Sequence, residues 1–283
     1  MITFKKKKVL HEWTTDKKLS GQTIGFVPTM GALHTGHLAL VERANKENDI
    51  VVCSIFVNPA QFNNQADLEK YPRNLTDDLQ QLQEAGCDVA FTPDEQEIYP
   101  EKEQKVYDFG HLDKVMEGKY RPGHFNGVAL VVDKLFRIVA PHRAYFGEKD
   151  FQQLQIIKAL VRKEGHDVQI IDCLTVREPD GLALSSRNAR LTEAGRREAA
   201  KIYQALLMAR ESWSDKSIDQ IKQQVMAYIN ASPELKTEYF EIVQADTLLP
   251  AKEADTHNGN SVVACIAVYA GDVRLIDNMV LNS

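Results

Sequence analysis

Val27-Pro28-Thr29-Met30-Gly31-Ala32-Leu33-His34-Thr35-Gly36-His37 is the stretch that decides how this chain folds. Before it, Thr23–Val27 is apolar and strand-like; after it, Leu38, Val41 and Ala44 recur at the spacing of one helical face. The segment therefore leaves a strand and enters a helix. In an open parallel sheet, ligands bind outside the carboxyl ends of the strands. Gly31 and Gly36 permit close backbone approach. A helix N-terminus offers unsatisfied N–H groups and the positive end of a dipole, both suited to phosphate. His34 and His37 can aim at the same phosphate oxygens and donate to the charge that grows as pyrophosphate leaves. The alternative is a pair of histidines that only cap or pack the helix start. The motif alone implies nucleotidyl transfer and no particular substrate.

Outward from this segment, short apolar runs alternate with amphipathic ones up to about residue 173. Ile50–Phe56 is continuous, as in a parallel strand buried on both faces. Thr76–Ala85 is predicted helical and Val89–Phe91 a strand. Val128, Val131, Val132, Leu135, Phe136 and Val139 mark a helix stopped by Pro141. Ala144–Phe146 is strand-like, Phe151, Leu154, Ile157 and Val161 mark a helix, and Val168–Cys173 a strand. Such alternation predicts an α/β fold, a Rossmann-like doubly wound parallel sheet. Glu178–Arg190 then reads as a polar loop. Two helices follow, carried by Ile202, Leu206, Ala209 and Trp213 and by Ile218, Ile221, Val225 and Ile229. Strand-like runs at Tyr239–Val243, Val262–Tyr269 and Val273–Val280 close the chain. Helices followed by strands suggest a smaller α+β domain, so the expected division is a catalytic domain over 1–176 and a lid domain over 177–283.

The chain has 283 residues, 43% hydrophobic and 26% charged, with net charge -6. That composition can bury a sizeable core. The acidic balance argues against nucleic acid as the main partner, since phosphate backbones want a basic face. Cys53, Cys87, Cys173 and Cys265 show no metal-ligand spacing and read as buried reduced thiols of a cytoplasmic protein. Lys5–Lys8 is followed by no apolar signal core and reads as a solvated segment, and no stretch is long enough to span a membrane.

Three further segments sit where a functional site is expected. In Phe56-Val57-Asn58-Pro59-Ala60-Gln61-Phe62, Asn58 and Gln61 are amides able to bind a small carboxylate or hydroxyl, or to cap the loop. Tyr71-Pro72-Arg73 follows, and Asp77-Asp78 opens a helix, where carboxylates are favoured anyway; the functional reading gives Asp77 to Mg²⁺. In Phe146-Gly147-Glu148-Lys149-Asp150-Phe151-Gln152-Gln153-Leu154, Lys149 suits a phosphate oxygen. Asp150 could cap the helix or take ribose hydroxyls, and Gln153 lies one turn in. Leu184-Ser185-Ser186-Arg187-Asn188 offers two hydroxyls and a guanidinium to a triphosphate, as a flap over the nucleotide or as a solvated linker.

Together these motifs, with Arg-Pro-Gly-His-Phe at 121–125, stand in the order typical of pantothenate synthetases, and residues 23–190 resemble that family. His-x-Gly-His alone is shared with class I aminoacyl-tRNA synthetases and cytidylyltransferases. The resemblance implies ATP-dependent condensation of pantoate with β-alanine through pantoyl-adenylate, with Mg²⁺, in a homodimer. It implies that Met30, Gly31, Ala32, Leu33, His34, Thr35, Gly36 and His37 bind ATP, His37 being the proton donor. Gly147, Glu148, Lys149 and Asp150 would also bind ATP, Val176 on the adenine side and Leu184, Ser185, Ser186 and Arg187 at the phosphates. Gln61 and Gln153 would contact pantoate, Gln61 also β-alanine, with Asn58 and Tyr71 as further substrate contacts. His34, His37, Lys149 and Arg187 are thus the expected catalytic set. One departure stands at 63–67, where Asn-Asn-Gln-Ala-Asp replaces the family's usual Gly-Pro-x-Glu-Asp. The rivals are another nucleotidyltransferase of the superfamily and a nucleotide-binding module without catalysis.

Overall fold

The computed structural model describes residues 1–63, 68–101, 103–252, 255 and 261–282; of the atypical 63–67 loop, all but Asn63 lies outside the described residues. By contact the chain divides into two compact units. The first holds residues 1–113, 117–148 and 153–174; the second holds the rest of the chain from Thr175, together with Lys114–Met116 and Lys149–Gln152.

A parallel sheet organises the first unit. Its strands are β1 (Ile2–Phe4), β2 (Ile24–Thr29), β3 (Ile50–Ile55), β4 (Val89–Phe91), β5 (Arg143–Gly147) and β6 (Gln169–Cys173), in the order β1-β4-β3-β2-β5-β6. Apart from Met116, Phe151 and Gln152, which belong to the second unit, the first unit holds the described helices α1 (Lys7–Leu19), α2 (Thr35–Glu47), α3 (Leu75–Glu84), α6 (His124–Val139) and α7 (Phe151–Glu164), with short α4 (Glu95–Ile98) and α5 (Met116–Tyr120) between. Successive strand residues point to opposite faces, and both faces are covered. Ile24, Phe26, Ile50, Val52, Ala144 and Phe146 pack with Leu10 of α1 and the apolar sides of α6 and α7. Val27, Val51, Cys53 and Tyr145 pack with Leu40, Val41 and Ala44 of α2 and Leu82 of α3. That is the doubly wound sheet expected from the alternation.

Two local expectations are corrected. β2 does not stop before Pro28 but runs on to Thr29, with Pro28 opposite Ser54 of β3. Proline is tolerated because β2 pairs with β5 only at Gly25 and Phe26, so past Phe26 one side of β2 has no ladder to donate to. The second concerns what surrounds Lys5–Lys8: the lysines are largely solvated as expected, but they join an edge strand and a helix that were not anticipated. β1 pairs with β4, and Lys6 bonds Glu97 at 2.9 Å. The run hides both elements, because α1 buries only Leu10 and Thr14.

The second unit has an antiparallel sheet of β7 (Leu235–Gln244), β8 (Val262–Ala270) and β9 (Val273–Val280). Helices α8 (Glu193–Ala199), α9 (Lys201–Glu211) and α10 (Ile218–Asn230) accompany it. Ile202, Leu206, Ala209, Trp213, Ile221, Val225 and Ile229 all enter its core, as their spacing predicts; α8 was not anticipated. Residues 178–190, expected as a polar loop, form a tight hairpin and a 3₁₀ turn. Arg177 bridges Ala183, the Glu178 amide donates to Leu182, and the Leu184 amide donates to Val176. Gly181 makes the bend at φ +92°, and a Cβ there would lie 2.0 Å from the Tyr203 ring.

All four cysteines are buried free thiols; burial pushes that of Cys87 up to about 12. None of the described helices is long and apolar enough to cross a membrane.

The hairpin is anchored by Arg177. Its guanidinium grips Asp277 of β9 with two bonds of 2.6 and 2.9 Å, donates to the Gly181 carbonyl at 3.0 Å and stacks on Tyr203. Asp277 is 4% exposed. Removing one partner of a buried pair strands the other charge, so Asp277→Ala should destabilise the protein by about 3–5 kcal/mol. A chemical-denaturation midpoint unchanged from the parent would show that the pair contributes little.

Candidate active site

The strand order reverses direction between β2 and β5, and their carboxyl ends part there, since pairing ceases at Phe26 and Ala144. Such a switch point is where open α/β sheets bind ligands. Residues 30–37 leave the end of β2, and Gly147 ends β5.

Between β2 and α2 the chain makes a constrained turn. Gly31 and Ala32 are both left-handed, at φ +79° and +50°. Asp78, in the first turn of α3 and 2% exposed, accepts the Ala32 amide at 3.0 Å and the Leu33 amide at 2.8 Å. A Cβ on Gly31 would lie 2.8 Å from the Asp78 carboxylate, which is why glycine stands there. Thr29 adds a strut, its hydroxyl donating to Ser54 O at 2.7 Å. Two amides that the sequence offers to phosphate are therefore held by the protein's own carboxylate.

His34 is the N-cap of α2, and its Nδ1 accepts the Gly36 amide at 3.1 Å. Capping and catalysis are not exclusive. A ring nitrogen that accepts carries a lone pair, so the proton resides on Nε2, leaving a neutral imidazole with a donor pointing away from the cap. The His37 ring lies 4.1 Å from the His34 ring, centroid to centroid, one turn into the helix. The two histidines are brought together as their spacing predicts, and His37 is half-buried rather than on an open rim.

After β3, Asn58 caps the 3₁₀ turn Pro59–Gln61. Asn58 and Gln61 are 1% and 8% exposed. All the polar capacity of the Asn58 amide is engaged inside the protein, by Ala60, Gln61, Tyr99 and Gly127. Asn58 thus holds the turn from inside. The start of α6 closes on the same turn. His124 Nδ1 donates to the Gln61 carbonyl at 2.8 Å, and a Cβ on Gly127 would lie 2.1 Å from the Ala60 oxygen. Tyr71 packs edge-on against Phe62, with ring centroids 5.7 Å apart.

Asp77 is exposed, its carboxylate hydrogen-bonded to the Asn74 side chain that caps α3. Among the described residues no three His, Cys, Asp or Glu side chains converge as metal ligands. Asp78, beside it, is the residue that acts on the β2–α2 turn. The signal for it was available: Asp78 and Leu82 share the buried face of α3, and a carboxylate on an apolar stripe needs partners. His124 and Tyr99 were not assigned from sequence either, because their partners lie 63 and 41 residues away.

Glu148 is half-buried, and its carboxyl is raised above the usual range by burial and by the Asp172 carboxylate. Gln153 is half-buried on the first turn of α7. In the second unit, Lys149, Ser185 and Arg187 line one small cleft with Arg274 and Asp277. The Lys149 ammonium lies 3.7 Å from Asp150, and its carbonyl accepts from Asn278 at 3.0 Å. Ser185 Oγ accepts the Arg187 amide at 3.3 Å, capping the turn that Ser186 opens. Val176 and Leu184 face each other across the hairpin.

Comparison with known proteins identifies the family and the fold. Residues 2–280 match the family model of pantoate-β-alanine ligases. A curated pantothenate synthetase of Bacteroides fragilis strain YCH46 is 51% identical over 263 residues, covering 93% of this chain and 92% of its own. The crystal structure of pantothenate synthetase from Thermus thermophilus superposes with TM-score 0.91 at 43% identity, covering 100% of both chains. A pantoate-β-alanine ligase from Francisella tularensis, solved with β,γ-ATP and β-alanine, gives TM-score 0.82 at 38% identity, covering 99% of this chain and 98% of that one.

Asp78→Asn keeps one acceptor but turns an NH₂ toward a backbone N–H of the β2–α2 turn. It should cost about 1–3 kcal/mol of stability and weaken ATP binding. Asp77→Asn, at an exposed position, should shift stability by about 0.5 kcal/mol or less. Thermal melts of the two variants with and without ATP check both; equal effects would remove the special part given to Asp78.

Proposed function

The chain belongs to the pantoate-β-alanine ligase family, and on that premise we propose how its residues carry the family's reaction. It is an ATP-dependent ligase that joins pantoate to β-alanine, yielding pantothenate, AMP and pyrophosphate, a step of pantothenate and coenzyme A biosynthesis.

Oxide is too poor a leaving group for an amine to displace from a carboxylate directly. The pantoate carboxylate therefore attacks the α-phosphorus of ATP, forming the acyl-phosphate bond and releasing pyrophosphate. The neutral amine of β-alanine then attacks the acyl carbon, AMP leaves with the bonding electrons, and the amine loses a proton. Neither step needs a nucleophilic side chain, so catalysis rests on positioning and on charge stabilisation.

The observation that carries this reading is the state of His34. Its Nδ1 accepts from the Gly36 amide, so the ring proton sits on Nε2, and the ring lies against His37 just past the carboxyl end of the central strand. Two preorganised donors there meet the oxygens whose charge rises as pyrophosphate departs. Residues 30–37 seat the nucleotide, with His37 giving a proton or a strong hydrogen bond to the leaving group. Gly147–Asp150, Val176 and Leu184–Arg187 also serve ATP, Lys149 and Arg187 supplying positive charge to its phosphates. Gln61 and Gln153 take pantoate, with Tyr71, packed on the Phe62 that follows Gln61, as a further substrate contact.

The chain's described side chains form no cage for Mg²⁺. The ion would instead arrive with ATP, held mostly by phosphate oxygens and water, with Asp77 as the one carboxylate assigned to it. It would neutralise phosphate charge. A homodimer and a cytoplasmic location complete the reading.

An enzyme working in this order exchanges labelled pyrophosphate into ATP with pantoate and Mg²⁺ alone. Exchange that strictly requires β-alanine would exclude a free adenylate. His37→Ala should slow adenylate formation on the order of 10²–10³-fold, and amide formation from supplied pantoyl-adenylate far less. Equal loss in both half-reactions, by single-turnover measurement, would move His37 from the pyrophosphate to the acyl or AMP group.

A further inference from the structure

Gln61 is gripped from behind by a chain of hydrogen bonds. Asn58 Oδ1 accepts the Ala60 amide at 3.3 Å and the Tyr99 hydroxyl at 2.8 Å. Asn58 Nδ2 donates to the Gly127 carbonyl and to Gln61 Oε1, both at 3.0 Å. A backbone N–H can only donate and a backbone carbonyl can only accept, so Ala60 and Gly127 settle which end of the Asn58 amide is which. The Asn58 NH₂ can meet only an acceptor, and this settles Gln61 in turn: Oε1 faces Asn58 and Nε2 faces away. There Nε2 lies 3.0 Å from Met30 Sδ. A thioether is a weak acceptor, one that a substrate oxygen can displace. Turning Gln61 over would set two NH₂ groups against each other at a site almost without water.

We propose that Asn58 and Tyr99 are positioning residues that lock Gln61 as a donor, so that it recognises an oxygen acceptor of the substrate, a carboxylate or hydroxyl oxygen. The inference rests on Gln61 as a pantoate contact and adds the polarity of that contact and what sets it. Tyr99 follows α4, its ring 6.2 Å from Phe56 and under the Lys134 ammonium at 5.5 Å. Burial holds its hydroxyl far above the ordinary phenol range, so it remains a donor throughout the working pH range.

A double-mutant cycle on the full-length enzyme tests the relay, with pantoate KM and kcat measured at saturating ATP and β-alanine. Gln61→Ala should raise pantoate KM on the order of 10–100-fold, and Asn58→Ala on the order of 10-fold. The double variant should be no worse than Gln61→Ala, because a residue that acts through another adds nothing once the other is gone. Tyr99→Phe should raise KM a few-fold, and not at all in the Gln61→Ala background. Gln61→Glu keeps its bond from Asn58 but shows the substrate only lone pairs, so it should impair pantoate use at least as much as Gln61→Ala. Losses that multiply in the double variant would overturn the relay, as would a Gln61→Glu enzyme with normal pantoate KM. Unchanged pantoate KM and kcat in Gln61→Ala is a separate result, removing Gln61 from the substrate site altogether. Should Asn58→Ala fail to fold, the Tyr99→Phe/Gln61→Ala cycle and Gln61→Glu decide the matter.

Discussion

A single buried carboxylate governs the geometry at the head of α2. Asp78 accepts two consecutive backbone amides from a turn whose residues, Gly31 and Ala32, both sit in the left-handed region. For alanine that conformation costs roughly 1–2 kcal/mol, and an isolated chain would not hold it. Two charge-assisted hydrogen bonds offset the strain, and the N-terminal turn of α3 is a favourable place for the anion that makes them. The turn redirects the chain from the end of β2 into α2, so that His34 arrives at the cap position with Nδ1 over the Gly36 amide. The cap contact of that histidine thus depends on backbone geometry held by a residue far along the chain, on another helix.

The sheet contributes the complementary constraint, which is an absence of pairing. β2 keeps its ladder to β3 as far as Thr29, but β5 accompanies it only through Phe26. Past that point the two strands part, and Pro28, with no N–H to give, stands where none is required. Chain segments leaving the two strands can turn away from the sheet without breaking a hydrogen bond. The Asn58 turn, by contrast, is closed tightly, with the Gly127 backbone of α6 laid against Ala60 so closely that no Cβ fits.

What was legible in the sequence follows from the range of the forces involved. Strands β2 to β6 and helices α2, α3, α6 and α7 announced themselves because burial on two faces leaves a period that can be read over about ten residues. β1 and α1 did not, since an edge strand of three residues and a helix burying two side chains leave almost no pattern. The histidine pair was legible because its members share one helix turn. Asp78 was passed over for its neighbour because both carboxylates suit a helix start, and only the tertiary position of the β2–α2 turn distinguishes them. The hairpin at 178–184 was hidden by polar composition; what orders it is Arg177 reaching Asp277, 100 residues away.

The same distinction separates side chains that bind from side chains that hold. Asn58 and Gln61 are both amides, three residues apart in one turn, and from sequence alone both suit a small carboxylate. An amide has four hydrogen-bonding positions. Those of Asn58 meet Ala60, Tyr99, Gly127 and Gln61, so none is left for a ligand; Gln61 gives one lone pair to Asn58 and aims its NH₂ at a thioether. A buried amide satisfied on every side is fixed, and one satisfied on one side is fixed and still reactive toward a ligand. Building the second kind requires the first behind it, because a lone glutamine would rotate about its last bond and offer either end. Polar residues next to a binding residue are therefore expected in such a turn even when they touch no substrate, and their count overstates the number of contacts a substrate makes.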